Sequence, residues 1–177
     1  MAIKATVFKA QLDISDMDRH YYGSHSLSLA RHSSETNERL MVRLLAYAFH
    51  AHERLTFSEG IASAEDPALW KKDLTQNIEL WIDLGQPDEK RLLKACGRAD
   101  EVVVYSYARN SRKWWDQLAV KLERARKLKV FFVENSNILE ALVEKNMDFQ
   151  CLIQDGQLLL SCGEQNFEVK IAKLHDS

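Results

Sequence analysis

Ile78-Glu-Leu-Trp-Ile-Asp-Leu-Gly-Gln-Pro-Asp-Glu89 is the stretch on which the fold turns. As far as Gly85 it has the period of a strand: Ile78, Leu80, Ile82 and Leu84 point one way, Glu79, Trp81, Asp83 and Gly85 the other. Pro87 then suits the first turn of a helix. Asp88 and Glu89 follow where the helix dipole favours anions, Lys94 and Arg98 lie where it favours cations, and Gly97 is a natural stop.

Downstream, residues 101–107 read as a buried strand, 111–127 as a helix and 128–133 as another buried strand. Strands alternating with helices in this way indicate a parallel layer. A short helix is expected over 137–144. The end of the chain reads as short strands around 150–153, 158–162 and 167–171, with Asp155-Gly156 as a hairpin turn between two of them.

Upstream, residues 3–14 alternate with a break near Lys9, which predicts a bulged strand, and 21–30 make its antiparallel partner across a polar turn. Ser34 is a candidate N-cap for a helix running to about His52, with Met41, Leu44, Leu45 and Ala48 on one face. A short strand over 54–57 and a loop containing Gly60 lead into a hairpin over 68–85. The expected architecture is an α/β mixed sheet flanked by helices, antiparallel at its start and parallel after the hairpin, in one domain spanning residues 1–177.

Composition sets the class. At 177 residues, 46% hydrophobic and 28% charged, the chain can bury a core without disulfides or a structural metal. Cys96, Cys151 and Cys162 form no CxxC pair, so reduced thiols and a cytoplasmic location are expected. No apolar run is long enough to cross a bilayer, so no membrane partner is expected. A net charge of −2 gives no global attraction to nucleic acid, and binding would have to come from a local basic cluster.

The chemically distinctive feature is a pair of acids. If the turn of the 68–85 hairpin is centred near Leu74 and Thr75, the numbers of paired residues sum to about 149. That register sets Asp66 opposite Asp83, within reach of a shared Mg²⁺. Asp83 is unusual in a strand with an apolar neighbour on each side, because strands disfavour aspartate. Asp66 before Pro67 and Asp73 at the turn are also ordinary turn chemistry.

Asp66-Pro-x-Leu-Trp70, Leu80-Trp-Ile-Asp-x-Gly-x-Pro-Asp-Glu89 with Arg91, and Lys94-Ala-Cys96 resemble the YaeQ family of small Gram-negative bacterial proteins. The stretch from His50 to Leu55, the strand ending Tyr105-Ser-Tyr107, and Trp114-Trp115 agree with it, so the resemblance spans the chain. It implies a variant of the restriction-endonuclease-like fold, the PD-(D/E)XK superfamily. That superfamily uses an acid at one strand and acid-x-Lys on the next to hold Mg²⁺, or Mn²⁺, and to orient a water against a phosphodiester.

Carried over by position, the resemblance makes Asp66 the leading acid, with Asp73 as the alternative metal ligand, and Asp83 the second acid. The strand lysine is replaced by Gly85, and Lys94 would have to reach in from the following helix, where Arg91 shares its face. Arg91, Arg109, Arg112 and Lys113 are candidates for nucleic-acid phosphate. Trp114 and Trp115 read as one core and one partly exposed residue, His50 and His52 as structural, and Glu53 as a possible outer acid. Two functions follow as expectations: a Mg²⁺-dependent nuclease, or a non-catalytic nucleic-acid-binding or regulatory module that keeps the fold.

Overall fold

The opening hairpin forms as expected, but it belongs to a different sheet from the one that carries Asp83. The computed structural model describes residues 5–59 and 64–176; the loop expected around Gly60 and the start of the first expected strand at Ile3 lie outside them. The chain divides into two compact units, one made of Met1–His50 with Asn135–Ile171, the other of Ala51–Glu134 with Ala172–Ser177. Each has a mixed sheet, so the expectation of a single sheet is corrected to two.

In the first unit, β1 (Ala5–Asp16) pairs with β2 (Tyr21–His32) from Ala5↔His32 to Asp16↔Tyr21 without interruption, so the break at Lys9 is not a bulge. Phe8, Ala10, Leu12 and Ile14 form the buried face. The other edge of β1 pairs in parallel with β8 (Asn146–Gln154), which continues through the Asp155-Gly156 turn into β9 (Gln157–Cys162) and β10 (Gln165–Val169). Asp18 accepts bonds from the Asp155 and Gly156 amides at 2.8 and 2.9 Å.

The sheet order is β10-β9-β8-β1-β2. The β1–β8 pairing joins segments far apart in sequence, and short-range periodicity carries no trace of it. The helix α1 (Asn37–His50) starts later than expected, because Thr36 rather than Ser34 accepts from the Arg39 amide, at 3.1 Å; Ser34 bonds His32 instead.

The second unit has the order β11-β7-β6-β5-β4-β3. Its strands are β3 (Leu55–Phe57), β4 (Leu69–Lys72), β5 (Ile78–Leu84), β6 (Ala99–Ser106), β7 (Leu128–Val133) and β11 (Ile171–Asp176). β3, β4 and β5 are antiparallel; β5, β6 and β7 are parallel, connected through α2 (Glu89–Arg98) and α3 (Ser111–Ala119). The β-α-β reading therefore holds. α3 is shorter than expected, and the run from Val120 to Lys127 consists mostly of turns. The expected helix over 137–144 is a 3-10 helix at Ser136–Leu142.

Leu92, Val102, Val104, Leu122, Leu128 and Val130 pack with Trp81 and Trp115 into the core of this unit. Trp115 is buried and Trp114 partly so, as the sequence suggests. All three cysteines are free, and burial pushes the Cys151 thiol up to about 12. No helix of the described residues is long and apolar enough to cross a membrane.

Candidate functional site: a carboxylate closed by an arginine fork

Asp83 lies near the end of β5, between β4 on one side and β6 on the other, and is 3% exposed. A carboxylate taken out of water there is costly unless it is paired. Its partner comes from the helix that follows. Asp88 caps α2 by accepting from the Arg91 amide at 2.8 Å, which fixes Arg91 in the first turn, and the Arg91 side chain reaches back to the strand.

Nε donates to Asp83 Oδ2 and Nη2 to Asp83 Oδ1, both at 2.9 Å, a two-pronged bond that occupies both carboxylate oxygens. These bonds to Asp83 hold the guanidinium's pKa above its ordinary value, against the effect of its partial burial. Nη2 also donates to the Asp66 carbonyl at 2.8 Å, and Nη1 to the Ala64 carbonyl at 2.5 Å. The sequence made Arg91 a candidate for phosphate; in the structure it donates to Asp83 and to the Asp66 and Ala64 carbonyls.

The hairpin register differs from the expected one by two residues. Leu69↔Ile82 and Trp70↔Trp81 are opposite, so paired numbers sum to 151, and Ala68, whose amide donates to the Ile82 carbonyl at 2.9 Å, comes beside Asp83 in place of Asp66. The turn is centred on Thr75, where the Asp73 amide donates to the Asn77 carbonyl, and the register shifts again between Lys71 and Lys72; the aromatic pair favours the outcome. Trp70 and Trp81 meet edge-on with centroids 6.4 Å apart, a geometry worth about 0.5–1.5 kcal/mol beyond burial, whereas the expected register would set Trp70 against Glu79. Asp66 meets the site through its backbone carbonyl.

Asp73 is at the far end of the hairpin. Its Oδ1 accepts from the Thr75 and Asn77 amides at 2.8 and 2.9 Å, and Asn77 Nδ2 donates to Oδ2 at 3.0 Å. Bonds from Asn77 and then Thr75 pull its pKa down to about 2. Asp73 therefore closes the turn and stands apart from Asp83.

Lys94 does not meet Asp83; its Nζ is 2.5 Å from Glu65 Oε2, and both groups are exposed. That bond holds the Glu65 carboxyl below its ordinary value. Arg98 Nη1 donates to the Glu65 carbonyl at 3.3 Å. One stripe of α2, Arg91, Lys94 and Arg98, thus fastens residues 64–66. Beside it is an open cleft of about 310 Å³ reaching Trp81 and Lys90.

The glycine two residues beyond Asp83 has a backbone cause. Gly85 has φ +88° while its amide donates to the Tyr105 carbonyl at 2.9 Å, a conformation that strains any residue with a side chain. The position two beyond Asp83 is thus where this chain bends.

Among the described residues no group of three or more His, Cys, Asp or Glu side chains is placed to hold a metal ion. Mg²⁺ needs oxygen donors in near-octahedral array. Arg91 takes up both oxygens of Asp83, and Asp73 is bonded within the turn at the far end of the hairpin, so Asp83 and Asp73 do not share an ion as arranged.

Arg109 and Lys113 are exposed. Arg112 Nη2 is 3.2 Å from Glu134 Oε1, and its guanidinium lies over the Phe132 ring. His52 accepts from the Arg54 amide at 3.0 Å, a structural role, and Glu53 is exposed. Sequence reasoning missed Glu65 and the internal role of Arg91. The available signal was Asp83 itself, a strand carboxylate that needs a cation, with Arg91 one helix start away.

The sequence profile of the YaeQ protein family matches residues 1–171. The YaeQ proteins of Escherichia coli K12 and Salmonella typhi are 40% and 38% identical to this chain over 174 residues, covering 97% of it and 96% of theirs. The crystal structure of YaeQ from Xanthomonas axonopodis pv. citri is similar at TM-score 0.95 and 44% identity, covering 98% of this chain and 100% of that one. YaeQ from Pseudomonas syringae is similar at TM-score 0.93 and 30% identity, covering 98% and 97%.

Proposed function

The chain belongs to the YaeQ family, and we propose that it is a non-catalytic nucleic-acid-binding module on a variant of the restriction-endonuclease-like fold, with its acidic site closed by Arg91. One observation supports this reading: Arg91 closes on both oxygens of Asp83, the residue that the resemblance makes a metal ligand. Breaking a buried ion pair by removing one partner typically costs several kcal/mol, so a metal would have to displace a cation already held by two charge-assisted bonds. Gly85 supports the same reading, because its backbone leaves no unstrained place for the lysine that would assist hydrolysis.

A second reading, a Mg²⁺- or Mn²⁺-dependent nuclease, draws support from the burial of Asp83 at the end of β5, where the superfamily's second acid would stand. In that reading Asp83, released from Arg91, would be the residue that holds the ion, and the ion would supply a Lewis acid for a water at the phosphodiester.

Labelled single- and double-stranded DNA and RNA, incubated with the protein in EDTA and then with Mg²⁺ or Mn²⁺, separate the two. The module should bind in a salt-dependent way and cleave nothing. Metal-dependent cleavage that disappears in Asp83→Asn would establish the nuclease. Neither binding nor cleavage would reject both.

A further inference from the structure

One basic cluster is absorbed by neither the Arg91 site nor the Arg109–Lys113 region. Lys121, Arg124, Arg126 and Lys127 fall within one short run of turns after α3, and all are exposed. With Leu93 and Cys96 of α2 they border an open groove of about 410 Å³. Lys127 donates to the Cys96 and Ala99 carbonyls at 3.2 Å, which ties the run to the end of α2. Lys121 has a loose contact of 3.8 Å with Glu89. Arg124 has no ion-pair partner among the described residues.

The outward face of α2 connects this groove to the cleft beside Arg91. Lys90, Leu93, Lys94 and Gly97 are spaced to lie along one stripe of the helix, and all are exposed. Lys90 and Lys94 border the Arg91 cleft; Leu93 and Gly97 border the basic groove. Cations therefore flank both sides of one helix ridge, and Gly97 is the one position of that stripe without a side chain.

Gly97 is not required by packing. A Cβ built there meets nothing within 4 Å, and its backbone is helical, so alanine would fit and would favour the helix. A glycine that the fold does not need, between two groups of cations, leaves the helix backbone open to close approach by another chain. The linear spread of cations suits a ligand with regularly repeated negative charge. The groove lacks aromatic side chains, so it is suited to a backbone rather than to stacked bases.

We infer that the outward face of α2 is the track for a nucleic-acid phosphodiester backbone, which contacts Lys121 and Arg124 on one side, crosses at Gly97 and reaches Lys90 on the other. This rests on the nucleic-acid-binding reading above and assigns its surface. Arg109 and Lys113 then contribute little.

The test is fluorescence anisotropy with a labelled oligonucleotide, single- and double-stranded, across a salt series, with labelled poly-glutamate as a second probe. Lys121→Glu with Arg124→Glu should weaken oligonucleotide binding by about tenfold or more and lower the salt slope by about 2. Gly97→Leu should weaken it severalfold while leaving the melting temperature at or above wild type, a combination that damage to the fold does not produce. Arg109→Glu with Lys113→Glu should change affinity less than about threefold. Wild-type binding that survives the α2-face variants and is lost in the Arg109 and Lys113 pair would overturn the track and leave the nucleic-acid reading intact. Wild type that binds poly-glutamate and no oligonucleotide would overturn both in favour of an acidic protein partner, and wild type that binds neither would overturn both outright.

Discussion

The two ends of the β4–β5 hairpin each hold an aspartate fixed by hydrogen bonds, and they solve the problem differently. At the turn, Asp73 stays near water and takes its bonds from the neutral groups of Thr75 and Asn77. At the inner end, Asp83 is buried, and neutral donors would leave a charge uncompensated, so a guanidinium closes on both of its oxygens. A carboxylate that serves a turn needs donors; one sunk beside parallel strands needs a cation. A metal ion is one such cation and arginine another, and this chain supplies arginine.

The largest effect should come from leaving Asp83 unpaired. Arg91→Met should destabilise the protein by about 2–3 kcal/mol in urea unfolding, below the range for a fully buried pair because the Arg91 side chain is 32% exposed. Adding Asp83→Leu should recover most of that loss, since the buried charge goes with its partner. Additive losses in the double variant would mean that the two residues stabilise the fold independently, and the contrast between the hairpin's ends would fail.

A smaller effect tests the bend beyond Asp83. Gly85→Lys, which gives the chain the acid-x-Lys spacing that the resemblance implies, should cost about 1–2 kcal/mol through its positive φ and should create no metal-dependent cleavage. Cleavage appearing in that variant would show the lysine to be the one missing part.

The smallest effect belongs to the turn. The Asp73 pKa is depressed in the folded protein, from 3.8 to about 2, so its contribution is present above pH 3.8 and is lost as pH falls through about 2. Asp73→Asn should therefore flatten the dependence of stability on pH between those values and leave behaviour at neutral pH nearly unchanged. A mutant with the wild-type acid slope would remove Asp73 from the account of the turn.

Much of the second unit was legible because its order is local. The alternation over β5, the Asp88 region that starts α2 and the apolar run of β7 each announce an element within a few residues. What was not legible was set by contacts between distant or competing partners. β1 pairs with β8 across most of the chain, which turns one expected sheet into two. The hairpin register is set by a turn centred on Thr75, with the Asp73 amide donating to the Asn77 carbonyl, and by an irregularity between Lys71 and Lys72, which together bring Trp70 opposite Trp81. Asp83 was visible as a misplaced strand carboxylate, but Asp66 was assigned to it from a register the chain does not adopt, and Lys94, on the same helix face as Arg91, pairs with Glu65 instead. The basic run from Lys121 to Lys127 was hidden inside an expected helix that ends at Ala119.

In the proposed reading the cation that serves the Asp83 carboxylate is Arg91 rather than a metal ion. Electron paramagnetic resonance of free Mn²⁺ titrated with protein tests it directly, because bound Mn²⁺ loses the sharp signal of the hydrated ion. Wild type should leave that signal unchanged at protein concentrations in excess of the metal, while Arg91→Met should bind Mn²⁺ measurably and Arg91→Met with Asp83→Asn should not. Stoichiometric loss of the free signal with wild-type protein, reversed by Asp83→Asn alone, would contradict the claim and make Asp83 a metal ligand.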